Sequence, residues 1–541
     1  MMKNLKFPLL FLFALYGVSL WVDFWEGSFA ASDIAGDVLN TLRIERDGYL
    51  LVGHWSKFGF SHPGPFWFYC NFIFEKIFIP FGLTKLQAWQ WGVTFLNAVF
   101  LIFSAIALSK LYFKNFNFKY AFLFVALYAV FAKECSGIWI PYRLTAAYLL
   151  FVIALLHLIR GNFNYLIIAV FTACILIHGY ATMPFFTLPF LLVAIVFGLK
   201  SKNKIMTHFK TQSIVAVFIA IIFASPIFID AYLNNPSNLD YLFQASRKMQ
   251  MDLANRPTFD DVLFTVPRLV ITDGAGHFLN IFYSSLIIIL FYLMIFLPRG
   301  TFHKKDFFFV DTFQNIRNTI LLCFALYFVC IFYHWKYTSD LNYYSMFYLM
   351  ALPPILYTTL LTPLLIAANK TKQKNIFTFG FLIVLIGMVI FKNIDTNNNL
   401  NKIFMSPYRH LSMNPTAIYL KNFVEKEYAK SKKSPLVFAD IYPTIEKLFP
   451  NELQRKKVGE EISPSVAVFI TAATEAGIPV CIAFAQKTLE AHPHIPFFYT
   501  PKLVCPPNTK ADVEFIFAPP QTCGTNGIVC MALVATKDKQ K

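Results

Sequence analysis

The chain has 541 residues, of which 57% are hydrophobic, 18% aromatic and 14% charged. Soluble domains carry about 25% charged residues, so an ordinary soluble enzyme is excluded and a polytopic membrane protein is expected. The net charge of +17 would raise nucleic acid as a partner in a soluble chain. Here the basic residues sit in short clusters between apolar runs, the pattern of topology determinants and of attraction to anionic lipid.

The N-terminus, MMKNLKFPLLFLFALYGVSLW, has a basic start and an apolar run but no small-residue cleavage site before Asp23. It reads as a retained first span, not a removed signal peptide. With about 20 apolar residues needed per span, spans are expected near 7–25, 91–111, 118–132, 141–159, 164–178, 182–199, 213–232, 278–297, 318–334, 344–366 and 375–391. The clusters at Lys3 and Lys6, Lys110 to Lys119, Arg160, Lys200 to Lys210, Arg299 to Arg317, and Lys370 to Lys374 then fall in alternate loops. The positive-inside rule puts the N-terminus in the cytoplasm. The first loop (26–90), the segments 233–277 and 334–343, and everything after Lys392 fall on the extracytoplasmic side. Phe-, Lys- and Asn-rich usage suggests a low-GC bacterial genome; the expected location is the bacterial cytoplasmic (inner) membrane.

Within the first loop, residues 33–47 (DIAGDVLNTLRIERD) put Ile34, Val38, Leu39 and Leu42 on one face, which suggests an amphipathic helix lying on the membrane. After Pro63 and Pro65, the run FWFYCNFIFEKIFIPF (66–81) is aromatic but short and carries Glu75 and Lys76. It reads as a second interfacial or re-entrant helix. From 392 to 541 the composition changes to that of a small soluble α/β domain. A helix is expected over 414–433, a strand over 435–440, and a helix then a strand over 465–484. Cys481, Cys505, Cys523 and Cys530 lie in this tail; three pairings are possible and two structural disulfides are expected in an exported compartment. Cys174, Cys323 and Cys330 sit in apolar spans as packing residues.

Several polar residues gather on the outer side. Asp33 begins the first-loop helix. It suits a general base for an acceptor hydroxyl or amine, or equally a helix N-terminal acid. Asp37 lies one turn on, and Asp47 reads as a solvated loop acid. His54 and His62 flank WSKFGFS, and His62 immediately precedes Pro-Gly-Pro, where the backbone is restricted. A spacing of eight is not expected to make the two histidines converge, so it is a weak metal signal. Lys57 suits a lipid phosphate or a snorkelling surface position. His178, in ILIHGY, and Arg143, in IWIPYR, are outer span-end cations, and Arg is well matched to phosphate. The segment 230–248 adds Asp230, Asn238, Arg247 and Lys248. No P-loop and no GxGxxG opening a helix is present. The outer compartment lacks nucleotide-activated donors, so a group transferred there arrives on a lipid such as a polyprenyl phosphate. The chemistry needs a base for the acceptor and cations for the departing phosphate.

These residues resemble the GT-C superfamily of integral membrane glycosyltransferases. The similarity rests on GHWSKFGFSHPGPFWFY (53–69), on Asp33-Ile34-Ala35 with His62 to Pro65 (a DxA…HPGP first loop of bacterial type), on IHGY (177–180) and on SPIFIDAYLNNPSNL (225–239). It is more distant to the aminoarabinose and protein mannosyl transferases. The resemblance implies a GT-C-like α-helical membrane domain (1–391, about 11 spans) followed by the α/β domain. It implies sugar transfer from a polyprenyl-phosphate donor to a glycan, lipid or protein acceptor of the envelope. Asp33 would be the base and Asp37 the fallback. Donor or substrate contacts would come from His62, His54, Lys57, Arg143, His178, Asp230 and Asn238. No cofactor, metal or nucleic acid is implied. The sequence departs from better-known members in having Ile34 where they carry a second acid. The competing readings are a transporter or lipid-linked sugar flippase, which would want charges deep within spans, and a polysaccharide polymerase or ligase.

Overall fold

The computed structural model describes residues 37–38, 40–41, 43–45, 48–56, 60–83, 85–113, 116–131, 137–201, 209–251, 256–263, 307–338 and 343–370, together with the strands 437–438, 513–518 and 530–535. The spans expected near 7–25, 278–297 and 375–391 lie outside the described residues, as do Asp33, Asp47 and Lys57.

In the first loop, residues 37–38, 40–41 and 43–45 are helical. This helical stretch ends at Gly48, which takes φ +79° while its N–H reaches back to the Ile44 carbonyl (3.1 Å), a left-handed helix end that glycine adopts at no steric cost. A two-residue hairpin follows. Strands β1 (Trp55–Ser56) and β2 (Phe60–Ser61) are antiparallel, with Trp55 opposite Ser61 and Ser56 opposite Phe60. After Pro63 and Pro65, helix α1 (Phe66–Phe78) runs for 13 residues, too short to span, as its length and its Glu75–Lys76 pair suggest.

The apolar helices follow in order: α2 (Lys85–Tyr112), α3 (Phe118–Phe131), α4 (Ile140–Ile159), α5 (Leu166–Gly179), α6 (Met183–Lys200) and α7 (Phe209–Leu233). Then come α8 (Asn238–Met251), α9 (Phe307–Tyr337) and α10 (Leu352–Lys370), the last preceded by a 3₁₀ stretch, Tyr343–Ala351. Among the described residues, six helical stretches are long and apolar enough to cross a membrane, and Phe118–Ala129 and Phe163–Gly179 are shorter apolar helices. The chain is thus a multi-pass helical membrane protein.

α4 lies at the centre. Every residue of it except Tyr142 and Ile159 is buried, and it packs on α2, α5, α6 and the 3₁₀ stretch. Such a helix, mostly apolar and enclosed all round, is a core helix. α7 is the opposite case. Among its residues only Ala216 and Asp230 are buried, and Ile214, Phe218, Ile221 and Phe228 stand exposed, as on a face that meets lipid.

α9 starts well before the expected 318. Asp311, Gln314, Asn315 and Arg317 interrupt the apolar run, so hydropathy hides the first turns. The helix persists because it buries Thr312 and Asn315, and Asn315 Nδ2 donates to the Leu111 carbonyl (2.8 Å). That carbonyl also accepts from Arg160 Nη1 (2.9 Å), closing the end of the bundle opposite the first loop.

In the tail, β3 (Val437–Phe438), β4 (Val513–Ala518) and β5 (Cys530–Ala535) form a sheet in that order, β3 parallel to β4 and β4 antiparallel to β5. β3 falls in the segment expected to be a strand. The helices expected over 414–433 and 465–484 and Cys481, Cys505 and Cys523 lie outside the described residues, and with them any disulfide pairing. Cys323 and Cys330 are buried and unbridged in α9, and Cys174 is half-buried in α5.

Candidate functional site

The first loop folds back over the ends of α4, α5 and α7. Its helical stretch buries Asp37, Val38, Thr41 and Ile44. The buried face is therefore partly polar and is packed on protein, where the hydrophobic pattern suggested a face resting on lipid. Buried polar groups need partners, and here they are found on the hairpin and on α1.

Asp37 Oδ1 lies 2.5 Å from His54 Nδ1. The carboxylate is 1% exposed and the imidazole 10%. An ionised carboxylate only accepts, so His54 Nδ1 carries the proton and donates. Thr41 Oγ1 donates to the Asp37 carbonyl (2.9 Å) and accepts from Asn71 Nδ2 (3.4 Å). Asn71 Oδ1 in turn accepts from Arg143 Nη1 (2.8 Å). One side-chain path thus runs from the first-loop helix through α1 to the start of the central helix.

Arg143 is wholly buried. Its Nε donates to the Ile138 carbonyl (2.5 Å), and its guanidinium lies 5.8 Å from the centre of the Trp67 ring. Its Nη2 finds no hydrogen-bond partner among the described residues.

The hairpin overturns the expectation that His54 and His62 do not converge. Gly53 N–H donates to the His62 carbonyl (2.8 Å) and His62 N–H to the His54 carbonyl (2.7 Å). Their rings stack with centres 5.9 Å apart and planes 14° from parallel. A spacing of eight makes two residues neighbours when each flanks a strand of one tight hairpin, as the β1–β2 pairing does here. His62 Nδ1 accepts the Ala181 N–H (3.1 Å), and Tyr180 tilts against the ring at 4.5 Å. A neutral His62 therefore carries its proton on Nε2.

His178 ends α5. Its Nε2 donates to the Phe223 carbonyl (2.7 Å), and its ring lies where a Cβ on Gly64 would stand. A Cβ on Gly53 would come within 2.7 Å of the Gly64 carbonyl oxygen. The two glycines are thus what lets the HPGP turn, the hairpin and α5 approach one another.

Asp230 and Asn238 also reach this end. Asn238 bonds to the backbone of Ser61, and Asp230 accepts from Asn234 and from the Asn238 N–H (2.8 Å each). Arg247 is exposed on α8, and the side chain of Lys248 is outside the described residues. The structure therefore brings Asp37, His54, His62, Arg143, His178, Asp230 and Asn238 to one end of the bundle. Among the described residues no group of three or more His, Cys, Asp and Glu side chains is arranged to hold a metal ion.

Sequence reasoning missed Asn71 and Thr41, which carry no motif signal of their own, and did not single out Trp67 within the 53–69 motif. It also missed an ionic knot. Lys85 Nζ reaches Glu45 Oε2 (3.3 Å) and Glu75 Oε2 (3.2 Å), Lys76 Nζ reaches Glu45 Oε1 (3.3 Å), and Trp89 Nε1 donates to Glu75 Oε1 (2.7 Å). It ties the first-loop helix, α1 and α2 together. Burial works against the Glu45 charge, but Lys85 and Lys76 outweigh it and hold that carboxyl below its ordinary value. Burial dominates at Glu75 and pushes its carboxyl up, against the opposing pull of Lys85 and the Trp89 N–H. Two charged residues inside an apolar run were the visible signal.

No protein-family model matches the chain, and no curated protein matches it. Among solved structures, that of ArnT from Cupriavidus metallidurans bound to undecaprenyl phosphate aligns over 95% of this chain and 93% of that one, at 12% identity and a TM-score of 0.49. At that level of likeness neither family nor activity is assigned from it.

Proposed function

We propose that the chain is a GT-C-type glycosyltransferase that moves a sugar from a polyprenyl-phosphate donor to an acceptor of the cell envelope. The observation that carries the reading is the buried Asp37–His54 pair at 2.5 Å. It lies at the end of the bundle away from Lys110, Arg160 and Lys200. Those lysines and the arginine mark the cytoplasmic side by charge, so the pair faces outward, where a lipid-borne donor is the available one.

In this reading the acceptor O–H gives its proton to a first-loop base and its oxygen attacks the anomeric carbon. The bond from that carbon to the phosphate oxygen breaks, and its electron pair leaves with the polyprenyl phosphate. Asp33 is the carboxylate to which the family resemblance points as base. Asp37, one turn later, orients His54 and steadies any positive charge on it. His62, as the Nε2–H tautomer, donates to the donor phosphate. The enclosure of Arg143 supports action through its field, strong where solvent is excluded. His178, spent on Phe223 and packed on Gly64, supports a bracing role for the HPGP turn. The 392–541 segment is an outer domain that binds the acceptor or braces the loops.

Mass spectrometry of envelope glycans and lipids, with and without the protein, tests this. A glycan lost on deletion and restored by the wild-type chain, but not by Asp33→Asn or Asp37→Asn chains expressed at equal level, is expected. An unchanged envelope would discard the reading.

A further inference from the structure

Ser61 immediately precedes His62, and its backbone faces away from β1. The hairpin's own bonds use Gly53, His54 and His62, which leaves the N–H and C=O of Ser61 on the outer edge of β2. Ser61 is 4% exposed, and buried backbone groups of this kind must be paired. Asn238 supplies both partners. Its Oδ1 accepts from the Ser61 N–H (2.8 Å), and its Nδ2 donates to the Ser61 carbonyl (2.8 Å). The side-chain amide thus acts as a one-residue third strand along β2.

Asn238 is itself held. It is the first residue of α8, and its N–H donates to Asp230 Oδ2 (2.8 Å). Asp230, one of only two buried residues of α7, uses its other oxygen to accept from Asn234 Nδ2 (2.8 Å). A carboxylate near the end of α7 therefore fixes the start of α8, and α8 fixes the strand that leads into His62. With both ends of its amide engaged on Ser61, Asn238 is not free to contact substrate directly.

We propose that Asn238 is a positioning residue for His62, through which the α7–α8 corner sets where the HPGP turn meets the donor phosphate. The proposal rests on the assignment of His62 as a phosphate contact. Among the described residues no other side chain pairs with the Ser61 backbone, so the corner is the handle on this edge of the hairpin. A shift of α8 would move His62 without disturbing the central helix.

The test uses the full chain in nanodiscs, with undecaprenyl phosphate as the probe. Its Kd is read by native mass spectrometry, and backbone deuterium exchange is read over residues 60–62. Asn238→Ala is expected to speed exchange there and weaken binding about tenfold, the scale of one lost pair of buried hydrogen bonds. Asn238→Asp keeps the acceptor for the Ser61 N–H and loses the donor, so its effect is expected to be intermediate. Gln244→Ala, on the exposed face of α8, is expected to change neither readout. In a double-mutant cycle, Asn238→Ala is expected to add nothing to His62→Ala. Unchanged exchange at 60–62 would overturn the clamp. Full additivity with His62→Ala would overturn the positioning role. If exchange speeds up but His62→Ala alone leaves the Kd unchanged, the assignment of His62 has failed and the positioning role falls with it.

Discussion

Asp37 and His54 share a hydrogen bond of 2.5 Å across 17 residues of chain, with the carboxylate 1% exposed. A buried carboxylate costs several kcal/mol unless paired, and a loop residue placed there for topology alone would sit in water. The pair has a direct spectroscopic consequence. In ¹⁵N-histidine spectra of the full chain, His54 is expected to be protonated at Nδ1. Asn has both a donor and an acceptor, so Asp37→Asn removes the acceptor-only constraint and is expected to shift the Nδ1 resonance. An unmoved His54 signal would show that the contact does not govern the ring.

The close approach of Gly64 to His178 makes a size-based prediction. Gly64→Ala places a methyl where the His178 ring stands, and Gly53→Ala places one 2.7 Å from the Gly64 carbonyl oxygen. Each is expected to cost about 2 kcal/mol, the usual scale of overpacking, read as a fall in thermal midpoint. Gly48→Ala meets open space but keeps φ +79°, so it is expected to cost only backbone strain of about 1 kcal/mol.

Lys85→Met tests the ionic knot through pH. The folded value of Glu45 lies below its ordinary 4.5, so its ion pairs add stability above that pH and lose it as pH falls through the folded value. The folded value of Glu75 lies above 4.5, so burial of its charge costs stability as pH rises through that value. Lys85 offsets the cost. The variant is therefore expected to lose most above the raised Glu75 value, where both carboxylates are charged, by between ~1 kcal/mol for an exposed pair and ~3 kcal/mol for a buried one. The deficit is expected to shrink below pH 4.5. Thermal midpoints of variant and wild type across acid pH check this, and a deficit that does not vary with pH would contradict it.

Arg143 joins Asn71 to Ile138 by two bonds from different nitrogens. Arg143→Ala leaves both acceptors buried and unpaired and is expected to destabilise the chain by about 3 kcal/mol. Arg143→Lys restores the charge but not the two-directional donor geometry, so it is expected to recover only part of the midpoint.

Composition and the spacing of apolar runs made the multi-pass class and the positions of α2 to α7, α9 and α10 legible, because a span has to be long and apolar whatever it packs on. The short, charged first-loop helix α1 was legible for the complementary reason. The start of α9 was not, since Thr312 and Asn315 are buried and Asn315 bonds to a carbonyl of another helix, which hydropathy does not record. At the site, HPGP and its glycines were visible as a rigid bend. The stacking of His54 on His62 was not, because it depends on a short hairpin closed by backbone bonds between Gly53, His54 and His62 and held along its outer edge by Asn238, a residue 177 positions away from Ser61. Asn71 and Thr41 join the path to Arg143 through tertiary contact alone.

The most direct measurement is release of polyprenyl phosphate by the purified full chain in nanodiscs supplied with the polyprenyl-linked sugars of a bacterial membrane extract and an envelope acceptor fraction. The account predicts time-dependent release with the wild-type chain and a rate at least about a hundredfold lower with Asp33→Asn, the usual scale of lost proton-transfer assistance, at unchanged thermal midpoint. Wild-type speed in the variant, or no release by a folded wild-type chain, would contradict it.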